Sequence, residues 1–292
     1  RLLDPTTRQA AIDESRFNIA PPDDLQPYFF LQVRPADLVN LGRTYFGSIT
    51  EITFNGVRVM MMLGVCAILL VLLVILLTVF TLPGSHASAA DRRAYRWMSI
   101  YFLGIGLGYI LIQLGLNQRL IIILGHPTLA LSVVLFSMLL GTGIGSALSE
   151  RLFPSGSISS AGAVIVGVLA ALWLALPLFP HFEDVGSFAA RLTLIGLLLV
   201  GVGGVLGFAF PLGVRVVAPT GEWAIQKMWA INGAASIAAS VLAALVGLTM
   251  GTRMVLLAGV ASYLVAVAAG AIAQRAASVP VEATEPAVEV TA

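Results

Sequence analysis

Long runs of apolar residues, separated by short polar stretches or by glycine and proline, recur from residue 57 to residue 274. A transmembrane helix needs about 20 mostly apolar residues, and each run reaches that length. The runs are continuous rather than alternating, which favours helices over the strands of a membrane barrel. The pattern predicts seven membrane-spanning helices, at 57–81, 97–118, 128–148, 161–180, 190–211, 229–249 and 254–274.

Composition and charge agree with this pattern. The chain is 58% hydrophobic and 11% charged, whereas a soluble protein carries about 25% charged residues. Its net charge of only +1 argues against a nucleic-acid-binding surface. We therefore predict an all-α polytopic bundle in a lipid bilayer, comprising a non-membrane segment at 1–56, a membrane domain at 57–275 and a disordered acidic tail at 276–292.

Polar side chains inside the apolar runs are the first candidates for a functional site, since polar groups at membrane depth are costly and usually face a protein interior. One set lies between Arg96 and Glu150, where Arg119 is the only formal charge. Its members are Gln113, Asn117, Gln118, Arg119 and His126, the last at a predicted hairpin turn. These side chains either line an intramembrane polar site or clamp neighbouring helices together.

A second polar set lies in the sixth predicted span. Asn232 and Ser236 are four residues apart and so share one helix face, as Gln113 and Asn117 do in the second span. An unpaired amide in hydrocarbon costs several kcal/mol, on the order of 4–8, so each pair needs polar partners. We therefore predict that the second and third spans pack against the sixth and bring the two pairs together.

Clusters of glycine recur in the second, third and fifth spans. A dinucleotide-binding fingerprint would require a strand before the glycines, and these glycines lie within apolar runs instead. Small residues four apart allow helix backbones to approach closely. We assign this packing role to Gly104, Gly108, Gly141, Gly145, Gly203 and Gly207.

Catalytic chemistry leaves no recognisable pattern in the chain. The three histidines, His86, His126 and His181, are isolated and lack the spacing of metal ligands. No nucleophile motif accompanies them. The catalytic residues, if any, are therefore unknown from the sequence, and we predict no metal site and no cofactor in this chain.

Two blocks of sequence resemble a known family. The pattern "IQ…QR…LGHP…LSVVLFS…GTGIGS" within 104–146, with "GFAFPLGVRVV" at 207–217 and "MWAINGAASIAASVLA" at 228–243, is similar to the membrane part of spermidine-synthase-like (polyamine aminopropyltransferase-like) bacterial membrane proteins. In that family an acidic residue is common at the position of Gln113. Because Gln113 has no carboxylate, a proton-linked role of that acidic residue does not carry over to this chain.

The resemblance implies a multi-pass protein of the bacterial plasma membrane and an aminopropyltransferase-like activity. It also implies a nucleotide-binding transferase domain that takes decarboxylated S-adenosylmethionine and a polyamine, but only if such a domain is attached or is a partner. The segment "NIAPPDDLQPYFFLQVRP" at 18–35 resembles the tail of that domain. We interpret 1–56 as its remnant, or as an amphipathic lead-in that rests on the membrane surface, and the chain from Arg1 as a fragment or processed product.

Three functions fit the sequence. The chain is a membrane module that anchors a transferase domain or handles its substrate or product, a small-solute transporter with a polar intramembrane cavity, or a structural subunit of a membrane complex. Orientation remains open, because seven basic residues near span ends fall on one side and five on the other. The positive-inside rule makes the first side cytoplasmic and places 1–56 outside, whereas a transferase using a cytosolic nucleotide needs 1–56 inside.

Overall fold

The structure, a computed structural model, describes residues 10, 12, 14, 62–70, 72–73, 76, 89–184 and 186–277. Their regular structure is helical throughout. Seven α-helices have defined bounds, at α1 Ala89–Leu124, α2 Pro127–Leu152, α3 Ile158–Ala175, α4 Phe188–Leu206, α5 Ala209–Val217, α6 Glu222–Met250 and α7 Thr252–Ala277. Single 3-10 segments, Leu176–Asp184 and Ala218–Thr220, follow α3 and α5.

Six spans among the described residues are long and apolar enough to cross a membrane. They begin and end at Arg92–Leu124, Pro127–Leu152, Ile158–Phe182, Phe188–Thr220, Glu222–Met250 and Thr252–Ala276. The helical bundle and these six spans confirm the prediction from apolar length. Most of the predicted first span, 57–81, lies outside the described residues, although its described members are helical. The segment 1–56, apart from three residues, and the tail beyond 277 also lie outside them.

The predicted bounds need correction at three spans. The sixth, predicted at 229–249, begins at Glu222. The helix predicted at 97–118 runs from Ala89 to Leu124, because a helix continues past its apolar part wherever arginines are tolerated at its ends. The span predicted at 190–211 is not one straight helix. It breaks between Leu206 and Ala209, just before Pro211, and resumes as the short helix α5.

The ends of the helices follow local chemistry. Ser157 and Ser187 cap α3 and α4, their hydroxyls accepting from the backbone N–H groups of Ser160 and Ala190 at 3.3 and 3.2 Å. Glycine makes the turn between α6 and α7, where Gly251 has φ of +86°, a value that side-chain-bearing residues rarely adopt. These short turns place consecutive helices side by side.

The bundle is built on the antiparallel pair α1 and α7. Gly104 lies opposite Ala266, and Gly115 lies opposite Leu256, so the two helices run in opposite directions. A Cβ at Gly104 would come within 2.9 Å of the Ser262 carbonyl oxygen. The backbones therefore approach at van der Waals distance, with large buried side chains filling the space above and below.

A second close pair consists of α2 and α4, which run parallel. A Cβ at Gly141 would collide with the Val200 carbonyl, and one at Gly145 would collide with the Gly204 carbonyl. In return, Gly203 of α4 and Gly207, which directly follows α4, pack on the backbone of α2. Glycines on both helices thus make a reciprocal contact of backbone against backbone.

The outer faces of the bundle are apolar. Phe136 is 70% exposed, Leu197 65% and Trp229 61%, on three different helices. An exposed apolar surface of this extent is unusual for a soluble monomer and is suited to lipid. The fold is that of a helical membrane protein.

Candidate functional site

The polar residues of α6 clamp it to α1. The Asn232 side-chain amide donates to the Phe102 carbonyl at 3.1 Å, and the Ser236 hydroxyl lies 3.4 Å from the Gly106 carbonyl. Gly106 makes this approach possible, because a Cβ there would come within 2.9 Å of the Asn232 Nδ2 atom. The carbonyls that accept these bonds belong to helix backbone, so the contact fills the space between the helices and leaves no cavity between these groups.

The polar residues of α1 lie further along the same helix. Gln113 and Arg119 are buried, while Asn117 and Gln118 are half-buried. The Gln118 amide packs against Gly247 of α6, where a Cβ would come within 2.9 Å of Oε1. The side-chain oxygens Asn117 Oδ1 and Gln118 Oε1 are buried and accept no hydrogen bond from the described residues.

These contacts show that α1 and α6 run parallel and that the two polar sets lie at different depths. Asn232 faces Phe102 and Gly106, whereas Gly247 faces Gln118. The fifteen residues from Asn232 to Gly247 correspond to about 22 Å along a helix axis. The second span does pack against the sixth, but the expected meeting of Gln113 and Asn117 with Asn232 and Ser236 does not occur.

The third span also differs from its expected place. Its helix, α2, packs on α4 and α1, and its glycines Gly141 and Gly145 serve the contact with α4. Gly143, between them, faces open space. All six glycines assigned to packing lie against another helix. His126, a member of the first polar set, lies exposed at the start of α2.

Tyrosine hydroxyls form polar contacts that the sequence pattern did not reveal. The Tyr109 hydroxyl lies 3.2 Å from Thr142 Oγ1, which donates to the Met138 carbonyl at 2.7 Å and approaches the Gly203 carbonyl at 3.3 Å. This chain of contacts joins α1, α2 and α4. The sequence signal for this contact was Thr142, which lies between Gly141 and Gly143. A hydroxyl at that position lies where the backbones of two helices are closest.

The break in the fifth span is also engaged by a tyrosine. The buried Tyr101 hydroxyl donates to the carbonyl of Ala209, the first residue of α5. A proline inside a membrane helix leaves a backbone carbonyl that another group must satisfy. The bond from Tyr101 to the Ala209 carbonyl ties the broken span to α1, at the centre of the bundle.

The chemistry of this interior is that of packing. Among the described residues no three His, Cys, Asp or Glu side chains lie together as they would around a metal ion. His126 and His181 are exposed and far apart in the chain, and His86 lies outside the described residues. The arrangement offers hydrogen-bonding groups and one buried guanidinium, but no assembled acid, base and nucleophile.

Fold and interior together define a polytopic helical membrane protein. No protein-family model, no curated protein and no solved structure matches this chain.

Proposed function

We propose that this chain is the membrane-embedded module of a spermidine-synthase-like transferase. In this proposal it anchors the catalytic domain, or handles that domain's substrate or product, while the nucleotide-binding domain is supplied elsewhere. The resemblance of the two sequence blocks motivates the family, and the packing of those blocks favours anchoring over transport.

The observation that carries the proposal is the way the two blocks meet. Gly207, the first residue of the second block, packs against the backbone of Thr142 and Ser146 in the first. Asn232 and Ser236, also of the second block, bind the backbone of α1. Residues that carry the resemblance are thus used to hold one bundle together, as anchoring requires.

The test of anchoring is isolation of the native complex. The chain, tagged at its C-terminus in its own host, should be solubilised in mild detergent, purified and analysed by mass spectrometry. We expect a nucleotide-binding transferase domain, either continuous with the chain or as a separate polypeptide. The preparation should transfer an aminopropyl group from decarboxylated S-adenosylmethionine to putrescine. A pure preparation without any transferase polypeptide would contradict the proposal.

The purified 292-residue chain alone should give no spermidine from the same two substrates, because it contains no nucleotide fingerprint. Product above a no-protein control would move the catalytic site into this chain. The complex described above is the positive control.

One observation favours the transporter as the second candidate. Gln113 and Arg119 are buried on α1, and the neighbouring oxygens Asn117 Oδ1 and Gln118 Oε1 accept no bond from the described residues. Buried polar groups in a membrane often mark a solute path. The buried guanidinium opposes a polycation, so an anionic or neutral solute fits better. Proteoliposomes that accumulate labelled spermidine would contradict this charge argument.

A further inference from the structure

A basic cavity lies at the beginning of α1, apart from the polar residues discussed above. It has a volume of about 580 Å³ and is lined by Arg92, Arg93, Arg96, Trp97 and Ile100. Positions 93, 96, 97 and 100 are spaced by three or four residues, so they share one face of the helix. Arg93, Arg96 and Ile100 are exposed, and Trp97 is half-buried.

The order of these residues along α1 matches the layers of a bilayer. Arg93 and Arg96 come first, Trp97 follows, and Ile100 lies about 10 Å deeper than Arg93 at 1.5 Å per residue. Cationic side chains suit the lipid phosphates, tryptophan prefers the interface, and isoleucine suits the acyl chains. A purely soluble anion would make no use of the two apolar members.

The chemistry of the arginines selects the ligand. Guanidinium groups bind phosphate oxygens through paired, charge-assisted hydrogen bonds. Two other cations on the same side are engaged within the fold. Arg215 pairs with Glu150 at 3.4 Å, and the Lys227 ammonium lies 5.1 Å from the centre of the Trp223 ring. Arg93 and Arg96 of α1 line an open cavity beside an apolar wall.

From these observations we infer that the cavity binds the phosphate headgroup of an anionic glycerophospholipid, with the first part of an acyl chain against Trp97 and Ile100. Zwitterionic phosphatidylcholine carries the same phosphate but adds a cationic choline, which the arginines repel. The site is therefore selective for anionic headgroups. It does not depend on the proposed transferase function.

The experiment compares lipids and variants of the full chain in detergent micelles. Dioleoylphosphatidylglycerol or dioleoylphosphatidylcholine is titrated in, while unfolding temperature and lipid adducts in native mass spectra are followed. We expect phosphatidylglycerol to raise the unfolding temperature and to remain bound. The double variant Arg93→Gln/Arg96→Gln should bind it roughly tenfold or more weakly.

Arg151→Gln is the matched control, because Arg151 is also exposed on the same side but does not line the cavity. It should respond as the parent does. The conservative variant Arg93→Lys/Arg96→Lys should retain part of the binding, and its unfolding temperature without lipid checks that the fold is intact. Equal responses from the parent and the Gln variant, or no selectivity over phosphatidylcholine, would overturn the inference.

Two soluble probes identify the source of the phosphate. Inorganic phosphate and glycerophosphoglycerol, the water-soluble headgroup, should stabilise the parent only at concentrations far above those of the lipid. Stabilisation by either at the same concentration would show a site for a soluble anion instead.

Discussion

At the scale of single residues, the question is whether a polar side chain in the membrane binds a ligand or another helix. In the polar set of α6, Asn232 binds another helix, because its amide donates to the Phe102 carbonyl across the α1–α6 contact. Interhelical hydrogen bonds of this kind contribute about 0.6–2 kcal/mol in membranes. Their value lies in fixing which faces of two helices meet.

Asn232→Ala should therefore lower the free energy of unfolding in detergent by about 0.6–2 kcal/mol. Ser240→Ala is the control, since the Ser240 hydroxyl is exposed and donates only to the Ser236 carbonyl of its own helix. Thermal or denaturant unfolding of the two variants beside the parent measures the difference. Equal losses would mean that the bond to Phe102 contributes nothing specific.

Adding spermidine distinguishes a clamp from an amine-binding site at the same residue. Because the Asn232 amide and the Ser236 hydroxyl are already engaged with backbone carbonyls, spermidine should leave the unfolding temperatures of parent and Asn232→Ala unchanged. Stabilisation of the parent but not of the variant would instead assign amine binding to these side chains.

The sequence identified some of these residues and missed others for a physical reason. Asn232 and Ser236 stand out because an amide and a hydroxyl interrupt an apolar run at helical spacing. Tyr101 and Tyr109 do not stand out, because most of a tyrosine side chain is apolar. Their hydroxyls find partners at Ala209 and Thr142, more than 30 residues away, and spacing along the chain carries no sign of such pairs.

At the scale of helices, apolar length predicted the six described spans, since the bilayer thickness sets how many residues must be apolar. Pairing was harder to predict. Small residues four apart show that a helix approaches another closely, but not which one. The third span was expected to pack against the sixth, but the glycines of its helix, α2, meet α4.

Gly145→Ala should disrupt that contact, while Gly143→Ala should not. A Cβ at Gly145 would collide with the backbone carbonyl of Gly204, whereas one at Gly143 would meet nothing within 4 Å. Overpacking of this kind costs about 1–3 kcal/mol. In the control, alanine is favoured over glycine in a helix by about 1 kcal/mol, so its stability should be equal or higher.

Unfolding temperature in detergent measures both glycine variants. The two positions lie on the same helix, two residues apart, so they share depth, helix propensity and detergent environment. A Gly145→Ala protein as stable as Gly143→Ala would show that α2 and α4 are not in backbone contact.

At the scale of the whole molecule, the helix directions show at which end of the bundle each basic residue lies. Basic residues gather on the side where α1 begins, namely Arg92, Arg93, Arg96, Arg151, Arg215, Lys227 and Arg275. The opposite side of the described bundle holds Arg119, Arg191 and Arg253. Arg119 lies five residues before the end of α1 and so belongs to the second group. Among the described residues, seven basic side chains lie on the first side and three on the second.

The positive-inside rule then predicts that the beginning of α1 is cytoplasmic. In a Cys66→Ser background, we expect a membrane-impermeant maleimide added to intact cells to label Gly186→Cys and to spare Ser155→Cys. Both positions are exposed in turns, at opposite ends of the bundle. Permeabilised cells should label both, which controls for reactivity. Labelling of Ser155→Cys alone would show the opposite orientation.

A third variant, Ser48→Cys, links this orientation to the proposed function. A catalytic domain that is attached ahead of the spans and uses a cytosolic nucleotide requires that Ser48→Cys be protected from the reagent. Labelling there from outside would exclude such a domain on the N-terminal side and leave only a separate cytoplasmic transferase partner.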